Sequence, residues 1–286
     1  MLATIIALYS SVYFVNCNFN GVLVSASLFP PASRMSLPRV CLSVALSLSL
    51  LIAGSAQAAE ITVSAAASLS NAFKEIAQAY EAHYSGAKVA LNFAGSGALL
   101  QQIAKGAPVD VFASADQETM DMAQQQNLLN PSERRNFARN TLVVVQALHT
   151  VKNYNLSQLA DLKQTQKLAL SLPASVPVGR YSQHALEKAG LWQALSSKLI
   201  YTQNVRQSLD YVVRGEVDAG FVYATDAALF KDKLKLAFSV PLDQDVSYPI
   251  ARLKNSPQSE EAKRFIDYVL SATGQSILAK YGFQKP

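Results

Sequence analysis

Ile61-Thr62-Val63-Ser64-Ala65-Ala66-Ala67-Ser68-Leu69-Ser70-Asn71-Ala72-Phe73 decides the fold. Ile61, Thr62 and Val63 are β-branched and suit a pleated strand. From Leu69, apolar side chains fall at Ala72, Phe73, Ile76, Ala77 and Tyr80, the spacing of one buried helical face. Ser68 stands at the strand-to-helix corner. A serine there can cap the helix with its oxygen. The same corner can offer a hydroxyl and free N–H groups to an anion at the positive end of the helix dipole. For any one serine the cap is the default reading, so the functional reading needs a second corner that converges on the first.

Moving outward, strand and helix patterns alternate. Val89 to Phe93 reads as a strand, followed by Ala94-Gly95-Ser96-Gly97 and a helix carrying Leu99, Leu100 and Ile103, with Gly106 as its stop. Val109 to Ala113 is a third strand, and Asp116 caps the helix that follows. Asn140 to Val145 and Leu168 to Leu172 are further strands. Pro173 to Gly179 leads into a helix, Asn204 caps another, and Ala219 to Tyr223 is a strand. Asp226 reads as the cap of a short helix. Val246 to Leu253 reads as a strand that Pro249 confines to an edge or connector. This order defines an α/β protein with crossover helices. Two apolar strands, near 141–145 and near 247–251, flank the middle third. They imply one lobe from residues 59–145 and 241–286 and a second lobe from 146–240, each a mixed sheet flanked by helices, joined by two hinge strands.

The 286 residues are not all expected to join this fold. Residues 35–58 have the layout of a secretory signal: basic Arg39, an apolar run, then Ala56-Gln57-Ala58. That run is shorter than the roughly 20 residues a spanning helix needs. Cleavage is expected after Ala58, which places the product in the periplasm. Residues 1–34 read as an N-terminal extension upstream of the true start at Met35; the rival reading is a genuine membrane-seeking segment. Both cysteines, Cys17 and Cys41, fall before the cleavage site, so no disulfide is expected. Of the formal net charge of +5, Arg34 and Arg39 of the leader account for two. The remaining charge is too mild to argue for nucleic acid.

Catalytic and metal chemistry find little support. His83, His149 and His184 lack metal-ligand spacing, and no phosphate-cradling Gly-x-x-x-x-Gly-Lys loop is present. Gly95-Ser96-Gly97 is not a hydrolase elbow. Asp110 and Asp116 read as turn and cap residues. What remains is a set of neutral donors at loop-to-helix corners: Ser68, Ser96, the region of Gly179, the helix start at Asn204-Val205, and Tyr223 at a strand end. Open α/β sheets bind ligands beyond the carboxyl ends of their strands. Neutral O–H and N–H donors without a lysine or arginine suit an ionised oxyanion that must later be released. A purely structural module, whose corners are caps alone, stays open at this point.

Ala65-Ala66-Ala67-Ser68-Leu69-Ser70-Asn71-Ala72, Phe93-Ala94-Gly95-Ser96-Gly97, residues 106–116, Val176-Pro177-Val178-Gly179-Arg180-Tyr181, Asn204-Val205-Arg206, residues 220–226 and Lys280-Tyr281-Gly282-Phe283 together resemble the periplasmic molybdate-binding proteins of molybdate ABC transporters. The resemblance runs in order through the whole mature chain. It implies a type II periplasmic-binding fold that binds molybdate or tungstate between its lobes, without enzymatic activity or a cofactor. It further implies a monomer that delivers the anion to an inner-membrane permease driven by a separate ATPase. The implied ligand-binding residues are Ser68 and Ser96 by hydroxyl and main-chain N–H, Val178 and Val205 by main-chain N–H, and Tyr223 by its hydroxyl. Molybdenum is then held as its oxyanion, with no direct metal ligand. Val178 stands where alanine is common, which should tighten the wall. Gly95 and Gly97 stand where serines can occur, which implies a more flexible loop with fewer auxiliary donors. Rival readings are another tetrahedral oxyanion such as sulfate, and a serine hydrolase.

Overall fold

The computed structural model describes residues 60–148, 150, 154–162 and 166–286. The expected leader, the extension before it and His149 lie outside the described residues. Two five-stranded sheets organise the rest. The first begins with β1 (Glu60–Ala66), runs through a 3-10 turn (Ala67–Leu69) into α1 (Ser70–His83), and returns in β2 (Lys88–Ala94). Helix α2 (Ser96–Ala104), β3 (Val111–Ala113), α3 (Gln117–Gln125) and β4 (Arg135–Asn140) follow. The second sheet starts with β5 (Leu142–Ala147) and β6 (Leu168–Ser171), then α4 (Pro177–Lys188), α5 (Trp192–Leu195), β7 (Leu199–Thr202) and α6 (Val205–Val213). It ends with β8 (Ala219–Tyr223), α7 (Ala224–Ala228) and β9 (Leu234–Ser239). The chain then re-enters the first sheet as β10 (Val246–Arg252) and closes with α8 (Ser259–Leu270) and α9 (Ala272–Lys280).

The sheet orders are β2-β1-β3-β10-β4 and β7-β6-β8-β5-β9. In each, three strands run parallel or bracket a parallel pair of contacts, and a fourth joins antiparallel: β10 beside β3, β5 beside β8. The parallel strands are buried runs such as Val111-Phe112-Ala113 and Leu168-Ala169-Leu170-Ser171, as expected where helices cover both faces. Phe73, Ile76 and Tyr80 of α1 are fully buried. Phe73 packs against Phe137 and Phe265 at ring separations of 5.7 and 6.3 Å. That aromatic layer fixes α1, and with it the corner at Ser68.

Three expectations change. The seam between lobes falls at Thr141, not near 146: β5 pairs with β8 and β9 of the second sheet along its whole length. β10 is not an edge. It lies between β3 and β4; a register shift between Tyr248 and Pro249 leaves Phe137 of β4 as the extra, unpaired residue, and the Pro249 carbonyl still accepts from the Ser114 N–H at 3.0 Å. Finally, β4, β7 and β9 are strands that the apolar pattern does not reveal. β4 reads Arg-Asn-Phe-Ala-Arg-Asn, and its burial alternates poorly.

Candidate functional site

The carboxyl ends of β1, β2 and β3 face those of β6, β7 and β8 across a small cavity. Ser68, Ser96, Val178, Val205 and Tyr223 all line it, with Ala115 and Asn204 between them. The five residues that the sequence scatters over more than half of its length meet at one place. Each is nearly sealed from solvent: the two serines are 3% and 0% exposed and Tyr223 is 1% exposed.

Ser68 is not a helix cap, which corrects the default reading. It lies inside the 3-10 turn, and α1 starts without a capping side chain. Its Oγ instead meets the hydroxyl of Tyr248 at 3.1 Å. Ser96 opens α2, whose N-cap is Gly95. The Ala115 N–H donates to Ser96 Oγ at 3.1 Å, which uses an oxygen lone pair and leaves the Ser96 hydrogen for another acceptor. No side chain caps α4 either. Pro177 has no N–H, and the Gly179 and Arg180 N–H groups return to Val176 O. The Val178 N–H, second in the helix, has no intrahelical acceptor. In α6, Asn204 accepts from the Gln207 N–H at 3.1 Å and its carbonyl from Ser208, as a cap should. The Val205 N–H at the first helical position is left over by the same geometry. Tyr223 ends β8 with a buried hydroxyl that has no hydrogen-bond partner among the described residues. Burial holds its phenol well above the usual range, so it stays an O–H donor.

The lobes touch around this cavity. The Gly97 N–H donates to Ser175 O at 2.9 Å. A Cβ on Gly97 would lie 2.6 Å from that oxygen, and one on Gly95 would lie 2.9 Å from Gln203 O. The two glycines therefore admit the opposite lobe; their role is close approach, not looseness of the loop. Arg180 of α4 crosses the gap and donates through Nε and Nη2 to Asp116 Oδ2 at 2.9 and 2.6 Å, and through Nη2 to Thr119 Oγ1 at 2.6 Å. Arg206 of α6 donates to Asn71 Oδ1 at 2.9 Å and to Ser68 O at 3.2 Å. Its Nε lies 2.7 Å from Asp226 Oδ1. Asp226 was expected to cap α7; it sits inside that helix, wholly buried. Burial raises its carboxyl to about 6 against the pull of Arg206. Each arginine thus follows a main-chain donor closely in sequence and spends its charge on a carboxylate.

Among the described residues, neither serine oxygen meets a histidine or a carboxylate; the partners are a tyrosine and a main-chain N–H. Asp110 accepts from the Thr62 N–H at 2.8 Å and from the Ser256 hydroxyl at 2.6 Å, a structural brace for β1. Among the described residues, no three His, Cys, Asp or Glu side chains are grouped to hold a metal ion. Tyr248, Asn140, Arg180 and Arg206 are the site's neighbours that sequence reasoning missed. A fold-level signal existed only for the arginines, which stand one or two residues beyond the helix starts.

A two-lobed α/β molecule with a small donor-lined cavity at the facing strand ends has the layout of a solute-binding protein. The chain belongs to the bacterial extracellular solute-binding protein family, which it matches over residues 61–284. It is 37% identical over 244 residues to the molybdate-binding protein ModA of Escherichia coli K12, covering 82% of this chain and 94% of that protein. It is 34% identical over 227 residues to the putative ABC transporter substrate-binding lipoprotein YvgL of Bacillus subtilis, covering 78% of this chain and 85% of that one. The solved substrate-binding domain of a putative molybdenum ABC transporter from Clostridium difficile is similar at 32% identity and a TM-score of 0.61, over 79% of this chain and 99% of that chain.

Proposed function

We propose that the protein is a non-enzymatic periplasmic receptor that encloses molybdate, and tungstate with it, between its lobes and presents it to an ABC permease with a separate ATPase. The ligand donors are Ser68 and Ser96 through hydroxyl and N–H, Val178 and Val205 through N–H, and Tyr223 through O–H. The observation that carries this reading is the unpartnered, buried Tyr223 hydroxyl facing two serines whose oxygens already accept or share a bond. Such a cluster is stable around an acceptor-only guest, because a charged acceptor satisfies several donors at once. Hydrogen bonds to a charged group contribute about 1.5–3 kcal/mol each. Helix N-termini add roughly 0.3–1 kcal/mol. The arginines at the rim are spent on Asp116 and Asp226, so no fixed cation retains the anion when the lobes part. Because donors come from both lobes, the anion binds the closed arrangement better and shifts the population toward it. No cofactor is needed, and the receptor works as a monomer after its leader is removed.

Calorimetric titration of the mature protein with molybdate tests the reading. Binding at micromolar concentration or tighter is expected, and a folded protein that releases no heat and shows no thermal stabilisation with molybdate refutes it. Sulfate, with the same charge and a smaller radius, is the second ligand to titrate. Tighter binding of sulfate than of molybdate replaces the ligand while keeping the site.

A further inference from the structure

A donor-only cavity requires that both serine hydroxyls aim their hydrogens inward. For Ser96 the main chain contributes: the Ala115 N–H takes one lone pair, so the hydroxyl hydrogen must point elsewhere. For Ser68 the polarity is set by a side-chain chain of bonds. Asn140 Oδ1 accepts from the Thr141 N–H at 2.9 Å, which fixes the amide so that its NH2 faces the other way. That NH2 donates to Thr225 Oγ1 at 2.8 Å and to the Tyr248 oxygen at 3.2 Å. Tyr248 is fully buried, and its remaining hydrogen-bond partner among the described residues is Ser68 Oγ. A buried O–H that stays unbonded is costly, so the Tyr248 hydrogen goes to Ser68. The Ser68 oxygen is then an acceptor from Tyr248, and its own hydrogen is free for the cavity.

We propose that Asn140 and Tyr248 form a positioning relay that fixes the Ser68 hydroxyl as a donor into the cavity, and so sets the preference of the site for fully deprotonated oxyanions over protonated ones. The proposal rests on the oxyanion reading above and deepens it. Phosphate near neutral pH carries at least one proton and needs an acceptor in its site. With the relay intact, one of the two lone pairs on each serine oxygen is already engaged, by Tyr248 on Ser68 and by the Ala115 N–H on Ser96, which lowers their capacity to accept that proton. Without the Tyr248 hydrogen, both lone pairs of the Ser68 oxygen are available and it accepts more readily.

The test is a displacement titration on the mature protein, wild type and Tyr248→Phe. Phenylalanine keeps the edge contacts of that ring with Phe137, Tyr223 and Phe283. Molybdate affinity is expected to fall about two- to tenfold, the worth of one neutral hydrogen bond. Phosphate is expected to displace molybdate from the variant at concentrations lower than that fall alone explains. In a Ser68→Ala background, Tyr248→Phe is expected to change neither quantity further. Asn140→Leu, which removes the donor that polarises Tyr248, is expected to shift selectivity in the same direction. Equal weakening of both anions, additive effects in the Ser68→Ala background, or unchanged phosphate displacement overturns the relay while leaving the receptor intact. A wild type that ignores molybdate overturns the receptor reading and the relay with it.

Discussion

Gly97→Ala separates closure of the lobes from stability of the fold. Gly97 is the second residue of α2, where alanine is the better helix former by up to about 1 kcal/mol. The lone lobe should therefore be as stable as before or slightly more so. In the closed molecule the added carbon would lie 2.6 Å from Ser175 O and 2.9 Å from Ser175 Cα, where ordinary contact begins at 3.4 Å. These are main-chain atoms, which cannot rotate away. The second lobe must withdraw by most of an ångström, and the Gly97 N–H bond to Ser175 O goes with it. The Val178, Val205 and Tyr223 donors retreat together. Stretching three charge-assisted bonds and losing one neutral bond costs roughly 2–4 kcal/mol, or about 30- to 1,000-fold in Kd. Calorimetry with molybdate reads the affinity, and a thermal scan without ligand reads the fold. A Kd within about threefold of wild type, with an unchanged melting temperature, would show that the lobes do not approach this closely around the ligand and would refute the reasoning.

Three further outcomes follow from the same geometry. Tyr223→Phe removes the unpartnered buried hydroxyl, so it should weaken molybdate by about 1.5–3 kcal/mol while leaving ligand-free stability unchanged or improved; calorimetry and a thermal scan compare the two. Arg180→Met strands Asp116, a kind of loss that costs about 3–5 kcal/mol when a buried partner is left alone. Asp116 keeps the Thr119 N–H and the Ser114 hydroxyl, so the lower end is expected, read as weaker binding that Asp116→Asn partly restores in the double variant. For Asp226 the folded carboxyl titrates at about 6, above its ordinary 3.8. The folded protein therefore binds the proton more readily than the unfolded chain, so this group's contribution favours folding at acid pH and is lost as pH rises from about 4 to about 6. Melting temperatures of wild type and Asp226→Asn across that window should diverge as pH increases, and parallel curves would remove the carboxyl from the account.

The corners were legible because local chemistry marks them. β-branched or apolar runs end in small residues, and a helical period begins directly after. Asn204 and Asp116 cap where their spacing says they should, since a cap is decided within four residues. Ser68 shows the limit of such reasoning: the local pattern offers it a cap, and a tyrosine 180 residues away takes the oxygen instead. β4 was hidden by its arginines and asparagines, which lie on a strand whose outer face meets other polar groups. Asp226 reads as a helix cap from its place after a strand, yet Arg206 on the adjoining helix draws it into a buried pair. Pro249 argues against an interior strand, yet it pairs with Asn136 of β4 and its carbonyl accepts from the Ser114 N–H. Long-range pairing, not propensity, decided each of these.

The order of the strands also governs how the molecule is made. The second lobe is complete in one continuous stretch and has all five of its strands once Ser239 has emerged. The first lobe begins earlier but cannot finish its sheet, because β10 inserts between β3 and β4. A chain threaded outward from its amino end thus carries an unfinished first half until nearly all of it has been synthesised. Sheet pairing across so large a sequence separation is slow to form, so the half that begins first is the last to lock.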